Sequence, residues 1–227
     1  GVPWYVALLL DKGRANRDAM LAALTEENSP FINEGKNILI EEFGSDYVTY
    51  FSILTCIASG MKTRSEIENE LGNNNIGPYL VKLEDYYKVI TKSLPIFAKE
   101  NSKKVRYQLN DCFLIFWFRF FYKYQALVEN KALKSLGEII ERDYSSVSGL
   151  MMERYFMKKF QEKGRYIIGK WWDRKGENEI DLIVVDLIGK EAWIYELKKQ
   201  GYRYKENEFR EKVDKVLEQT PELRKMT

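Results

Sequence analysis

Residues 178–200 read NEIDLIVVDLIGKEAWIYELKKQ, and this stretch limits the fold more than any other. Two apolar, β-rich runs, EIDLIVV and AWIYELK, are joined through a short turn containing Gly189, which predicts an antiparallel hairpin. Strands meant only for a core should not carry an Asp, a Glu and a Lys, yet Asp181, Glu196 and Lys198 interrupt these runs. With Asp186 paired to Glu191 around the turn, Asp181 lies opposite Glu196. Side chains alternate along a strand, so Lys198 shares the face of Glu196. The three polar groups therefore converge beside Ile183, Val185 and Ile194, on a face partly covered by protein.

A further acid joins them. In GLMMERYFMKKF, positions 149, 150, 153, 156, 157 and 160 share one helix face, so Glu153 sits in the middle of an apolar stripe. A carboxylate there is costly unless a cation or hydrogen bonds satisfy it. Two or three converging carboxylates bind a magnesium-like ion through oxygen. Lys198 could then position a water or stabilise charge on a phosphate, which together make a site for phosphodiester hydrolysis. The competing reading is solvated strand ends and salt bridges, because 31% of the chain is charged.

Composition narrows the chemistry. The 227 residues contain no histidine, which excludes Ser-His-Asp and Cys-His catalysis and every histidine-bearing zinc site. Cys56 and Cys112 each lie in an apolar stretch and read as buried thiols, a usage that fits a reducing, cytoplasmic compartment. A net charge of +2 gives no global signal for nucleic acid, so any basic surface must be local. No apolar run reaches the length of a membrane helix; FLIFWFRFFY comes nearest and Arg119 interrupts it. The opening GVPWYVALLL reads as the middle of a domain, without a signal peptide, and points to a piece of a longer protein.

Along the chain, a helical remnant is expected over 1–44, broken at Gly13 and ended by Ser29-Pro30, with a second helix over 33–43 stopping at Gly44. Asp46 is expected to cap YVTYFSILTCIAS. Thr63 and Glu66 have capping-box spacing at the start of RSEIENEL. Asn75 starts a third helix, IGPYLVKLEDYY, with Pro78 in its first turn. Two β-like runs, KVITKSLPI and KKVRYQL, follow around a lysine-containing loop. Helix, helix, helix, hairpin is the order of a winged helix-turn-helix, and with the aromatic helix CFLIFWFRFFYKYQAL it fills 45–125. A charged helical linker is expected over 126–144. Ser145 and Ser146 then start the Glu153 helix of a domain over 145–227, which ends in a charged helix.

KGENEIDLIVV…WIYELKK resembles the PD-(D/E)XK nuclease superfamily, whose core is a helix followed by a mixed sheet. Its acid-then-Glu-x-Lys motif matches Asp181, Glu196 and Lys198, and its frequent helix-borne Glu matches Glu153. GVPWYV, GMKTRSEIENELG, YLVKLEDYYKVI and VRYQLNDCFLIFWFRF resemble the C-terminal half of archaeal-type AAA+ ATPases. In those, a P-loop domain precedes a winged helix and a nuclease-like domain of unknown function. The resemblance implies an α+β/α/β architecture and Mg2+ or Mn2+ at Asp181 and Glu196. It also implies DNA as a partner, together with an N-terminal P-loop ATPase domain of the same protein. No G-x-x-x-x-G-K-[ST] loop occurs here, so ATP belongs only to that N-terminal domain.

A winged helix reads DNA by placing its third helix in the major groove. That helix offers Lys82 but also Glu84 and Asp85, a poor match to phosphate. Lys62, Arg64, Lys103, Lys104 and Arg106 lie around it and on the wing, so a basic edge is expected. The alternative is a module that only packs against its neighbours, with the nuclease-like domain kept as an inactive interaction or regulatory unit.

Overall fold

The computed structural model describes residues 5–7, 10 and 16–226. Most of the expected first helix before Asn16 lies outside them. The protein is a mixture of helices and two small antiparallel sheets, of two and three strands. Its contacts divide it into two units, Gly1–Lys92 with Arg106–Ser145, and Ser93–Val105 with Ser146–Thr227.

In the first unit, α1 (Arg17–Leu24) starts at Asn16, whose side chain accepts from the Ala19 amide. It is followed by α2 (Phe31–Phe43) and α3 (Tyr47–Ala58). Asp46 does not cap α3 as expected: it lies in a 3-10 turn, Gly44–Asp46, that leads into the helix, and its side chain makes no capping bond. α4 (Arg64–Glu70) carries the expected capping box. Thr63 accepts from the Glu66 amide, and the Glu66 carboxylate accepts from the Thr63 amide. Asn75 accepts from the Gly77 amide just ahead of α5 (Gly77–Val81), which therefore begins two residues later than expected. A π-helical turn, Lys82–Tyr86, continues α5 and keeps Leu80 and Leu83 buried together with Ile76. Strands β1 (Ile90–Ser93) and β2 (Arg106–Leu109) then pair.

The aromatic segment forms α6 (Cys112–Phe116), capped by Asp111 and continued by a π-helical turn, Trp117–Tyr122. Trp117, Phe118, Phe120 and Phe121 are all buried, each worth about 1.5–3 kcal/mol relative to exposure. Trp117 donates from Nε1 to the Ile32 carbonyl at 2.8 Å. Its ring lies so close to α2 that a Cβ on Gly35 would stand 2.2 Å from Trp117 Cδ2, so only glycine fits there. Cys56 is buried, as expected of a core thiol, whereas Cys112 is only half-buried. A short helix, α7 (Gln125–Glu129), follows.

The expected break at Ser145 and Ser146 is absent: α8 runs unbroken over Leu133–Gln161, and the division between units falls inside it. Serine is neutral enough in a helix interior for flanking helix formers to carry the helix through. The expected 126–144 linker is thus α7 and the first turns of a 29-residue helix.

In the second unit, β3 (Ile167–Trp172), β4 (Glu179–Asp186) and β5 (Glu191–Tyr195) form an antiparallel sheet in that order. The sheet is antiparallel throughout among the described residues, rather than mixed as the resemblance implies. The α8 side meets it through Phe160, whose ring lies 5.8 Å from that of Tyr195. The opposite face carries Ile183, Val185 and Ile194 and is covered by α9 (Glu206–Gln219) through Val216 and Phe209. The segment linking β1 to β2 belongs to this unit. Ile96 is buried in the same cluster and donates its amide to the Lys170 carbonyl at 2.8 Å. Trp172 Nε1 donates to the Lys104 carbonyl at 3.0 Å. This segment is therefore built into the sheet's surroundings, not a free polar loop. Among the described residues no helix is long and apolar enough to cross a membrane.

Candidate functional site

The hairpin register is set at its turn. Asp186 faces Glu191, and the ladder continues to Leu182 opposite Tyr195. Asp186 fastens the turn by accepting from the amides of Ile188 and Gly189 at 3.1 and 3.0 Å, and it pairs with Arg165. The Gly189 amide, followed by the Arg165 guanidinium, holds its carboxyl below the usual carboxylate range. A Cβ on Gly189 would stand 3.1 Å from that carboxylate, a tight contact that the Asp186 side chain would have to relieve by a few tenths of an ångström.

One step beyond the ladder, Asp181 meets the segment after β5. Its Oδ2 accepts from the Leu197 amide at 2.7 Å, which fixes Leu197 between Glu196 and Lys198. Burial pushes the Asp181 carboxyl above the usual range. The charges of Glu153 and Glu196 push the same way, against the Leu197 amide and Lys198. Glu196 is nearly buried, its side chain 7% exposed, and Lys198 Nζ stands 2.6 Å from it. Lys212 of α9 approaches the same carboxylate at 3.1 Å. Burial alone would pull Lys198 down, but Glu196, Asp181 and Glu153 outweigh it and hold the ammonium above its ordinary value.

Glu153, the acid in the apolar stripe of α8, finds the cation that its position demands: Lys170 of β3 stands 2.5 Å away. Asp181, Glu153, Glu196 and Lys198 thus act electrostatically on one another. Among the described residues no group of three or more carboxylates or thiols is placed to hold a metal ion. The carboxylates are instead each engaged, Glu196 by two lysines, Glu153 by one and Asp181 by an amide.

Lys170 and Lys212 were not singled out from sequence. Lys212 was within reach of it: in FREKVDKVL it falls on the face of Phe209, Val213 and Val216, where a lysine needs a partner. Lys170 lies in a strand whose register shifts between Gly169 and Trp171, and such an irregularity hides which way a side chain points.

The expected nucleic-acid residues are divided between the units. In the first, Lys62 and Lys82 are exposed, whereas Arg64 pairs with Glu68 at 2.7 Å and Arg106 is half-buried and attracted to Glu66. In the second, Lys103 is exposed, but Lys104 is half-buried and donates to Gln219 at 3.2 Å. Lys104 is therefore committed to its own unit and is a poorer phosphate contact than expected.

Among known proteins, a family described as archaeal and bacterial proteins of unknown function, DUF234, matches residues 117–212. That range contains the second half of the aromatic helix and the whole hairpin. An uncharacterized protein of Methanocaldococcus jannaschii is 30% identical over 208 residues, which cover 87% of this chain. The chain spans 45% of that relative's length. No solved structure matches this chain.

Proposed function

We propose that this chain is the DNA-binding and metal-dependent nuclease module of a larger AAA+ ATPase. The observation that carries the reading is the hairpin register, which sets half-buried Asp181 against a Glu196-x-Lys198 segment while Glu153 acts on the same groups. A helix packed on a sheet that bears this motif supports a restriction-endonuclease-like domain. Three helices followed by a two-stranded hairpin support a winged helix in the other unit. The greater length of the M. jannaschii relative leaves room there for a further domain, to which the resemblance assigns the P-loop ATPase.

The donor chemistry suits a hard cation, since Asp181 and Glu196 offer only carboxylate oxygens. They would hold Mg2+ or Mn2+, which when bound supplies charge neutralisation at a phosphate and a more acidic water. The Leu197 amide orients Asp181. Lys198, already drawn to this centre, is placed to leave Glu196 for a phosphate oxygen and stabilise its developing charge. Glu153 adds negative charge behind the pair and supports a water on that side. In this reading Lys62, Lys82 and Lys103 supply phosphate contacts that position DNA.

A second reading is favoured by a specific feature: each carboxylate already has a partner, and Glu196 has two lysines. A nuclease-like domain that kept these groups as internal ion pairs would serve as an inactive interaction or regulatory unit. DNA cleavage in magnesium or manganese separates the two. The nuclease reading predicts cleavage that Asp181→Ala abolishes while circular dichroism stays unchanged. Cleavage that survives the substitution rules out the site.

A further inference from the structure

Immediately after Lys198 the chain reads KQGYRYKENEF, with two tyrosines alternating with two cations. The segment closes on itself in a 3-10 turn, Gly201–Arg203, held by bonds from the Arg203 amide to Gln200 and from the Tyr204 amide to Gly201. Tyr202 is 79% exposed and Tyr204 43%, so neither ring serves the core. Both are nonetheless held. The Tyr202 hydroxyl donates to Gln200 Oε1 at 2.6 Å, the Arg203 guanidinium lies 5.9 Å from the Tyr202 ring, and Tyr204 packs 5.9 Å from Phe209.

This turn borders a cleft of about 400 Å³ whose walls include Lys198, Arg203, Lys205 and Lys212, with Glu196 and Glu208 as the acids among its described lining residues. Glu196 is matched by Lys198 and Lys212, and Glu208 by Lys205 at 2.7 Å. Arg203 pairs with no carboxylate among the described residues. The cleft is therefore basic on balance, opens beside the Glu196–Lys198 pair, and has an apolar wall in Phe209.

Exposed rings interleaved with cations suit a strand whose bases are free to stack, since a duplex hides the faces of its bases. We propose that the cleft and its Tyr202–Lys205 turn hold single-stranded DNA beside the hairpin carboxylates. Its phosphates lie on Arg203 and Lys205, and its bases stack on Tyr202 and Tyr204. The inference rests on the reading of this centre as one that processes nucleic acid. It adds that the preferred substrate is unpaired at the site of attack.

The test is fluorescence anisotropy of labelled oligo(dT) and of a duplex, with the full chain, in chelator so that no hydrolysis intervenes. Tyr202→Ala with Tyr204→Ala should weaken oligo(dT) binding about ten-fold or more and leave duplex binding nearly unchanged. Arg203→Ala should lower the slope of log affinity against log salt by about 0.7, the share of one single-strand phosphate contact. All three residues are exposed, so the fold should survive. The proposal is overturned by absence of oligo(dT) binding, or by a tyrosine variant that binds oligo(dT) as wild type does. Equal loss on oligo(dT) and duplex also overturns it. Because binding is read without metal, failure of the nuclease reading leaves this result standing. Cleavage that ignores the tyrosines would sink this proposal alone.

Discussion

Replacing Lys212 by Met keeps a long aliphatic stem against α9's neighbours but removes the ammonium that stands 3.1 Å from Glu196. A hydrogen bond to a charged group contributes about 1.5–3 kcal/mol net. Stripping a buried carboxylate of its last partner would cost more, about 3–5 kcal/mol. Glu196 does not reach that limit, because Lys198 remains at 2.6 Å on a side chain that is itself 37% exposed. The lower figure applies, and Lys212→Met should destabilise the second unit by about 1.5–2 kcal/mol. Glu196→Gln leaves the two ammonium groups facing a neutral amide. In the double variant the loss should fall short of the sum by about 1–2 kcal/mol, the coupling of a contacting pair. Urea unfolding followed by tryptophan fluorescence reads this, since Trp171, Trp172 and Trp193 all lie in the three-stranded sheet of the second unit. Costs that add within about 0.5 kcal/mol would refute the view that α9 is fastened to the hairpin through this pair.

Two further outcomes are expected. Gly35→Ala forces a methyl to 2.2 Å from the Trp117 ring, and the overpacking should cost about 3 kcal/mol or more in a thermal or urea melt of the first unit. A melt indistinguishable from wild type would mean that α2 and the aromatic helix pack less closely than described. Asp186→Asn should destabilise the protein at neutral pH. The Asp186 carboxyl is held below its unfolded value, so its contribution is complete above that value and is lost as pH falls through the depressed one. The gap between wild type and variant should therefore close in acid, and a gap that stays constant with pH would exclude the carboxylate charge as its source.

The hairpin was legible because three independent signals agree: apolar β-rich runs, a turn glycine, and an alternation that places Asp181 and Glu196 opposite one another. The register observed from Asp186–Glu191 to Leu182–Tyr195 is the one those signals give. Helix ends with a local mechanism were equally readable, as at Thr63 and Glu66. What escaped is what tertiary context decides. Nothing local distinguishes serines that start a helix from serines inside one, so α8 read as two elements. The run KVITKSLPI read as β-like to its end, but the strand stops at Ser93, and Ile96 and Phe97 beyond it pack into the second unit's core, a placement that nothing local reveals. At the site, Glu153 announced its need for a cation, but that Lys170 supplies it depends on a shifted register that no periodicity reveals.

Magnesium or manganese titrated calorimetrically into the wild-type chain and into Asp181→Ala tests the central claim most directly. A saturable heat of binding is expected in the wild type and should vanish in the variant, with the circular dichroism of the two alike. No heat in the wild type, or the same heat in both, would contradict it and leave Asp181, Glu196 and Lys198 as internal ion pairs of an interaction domain.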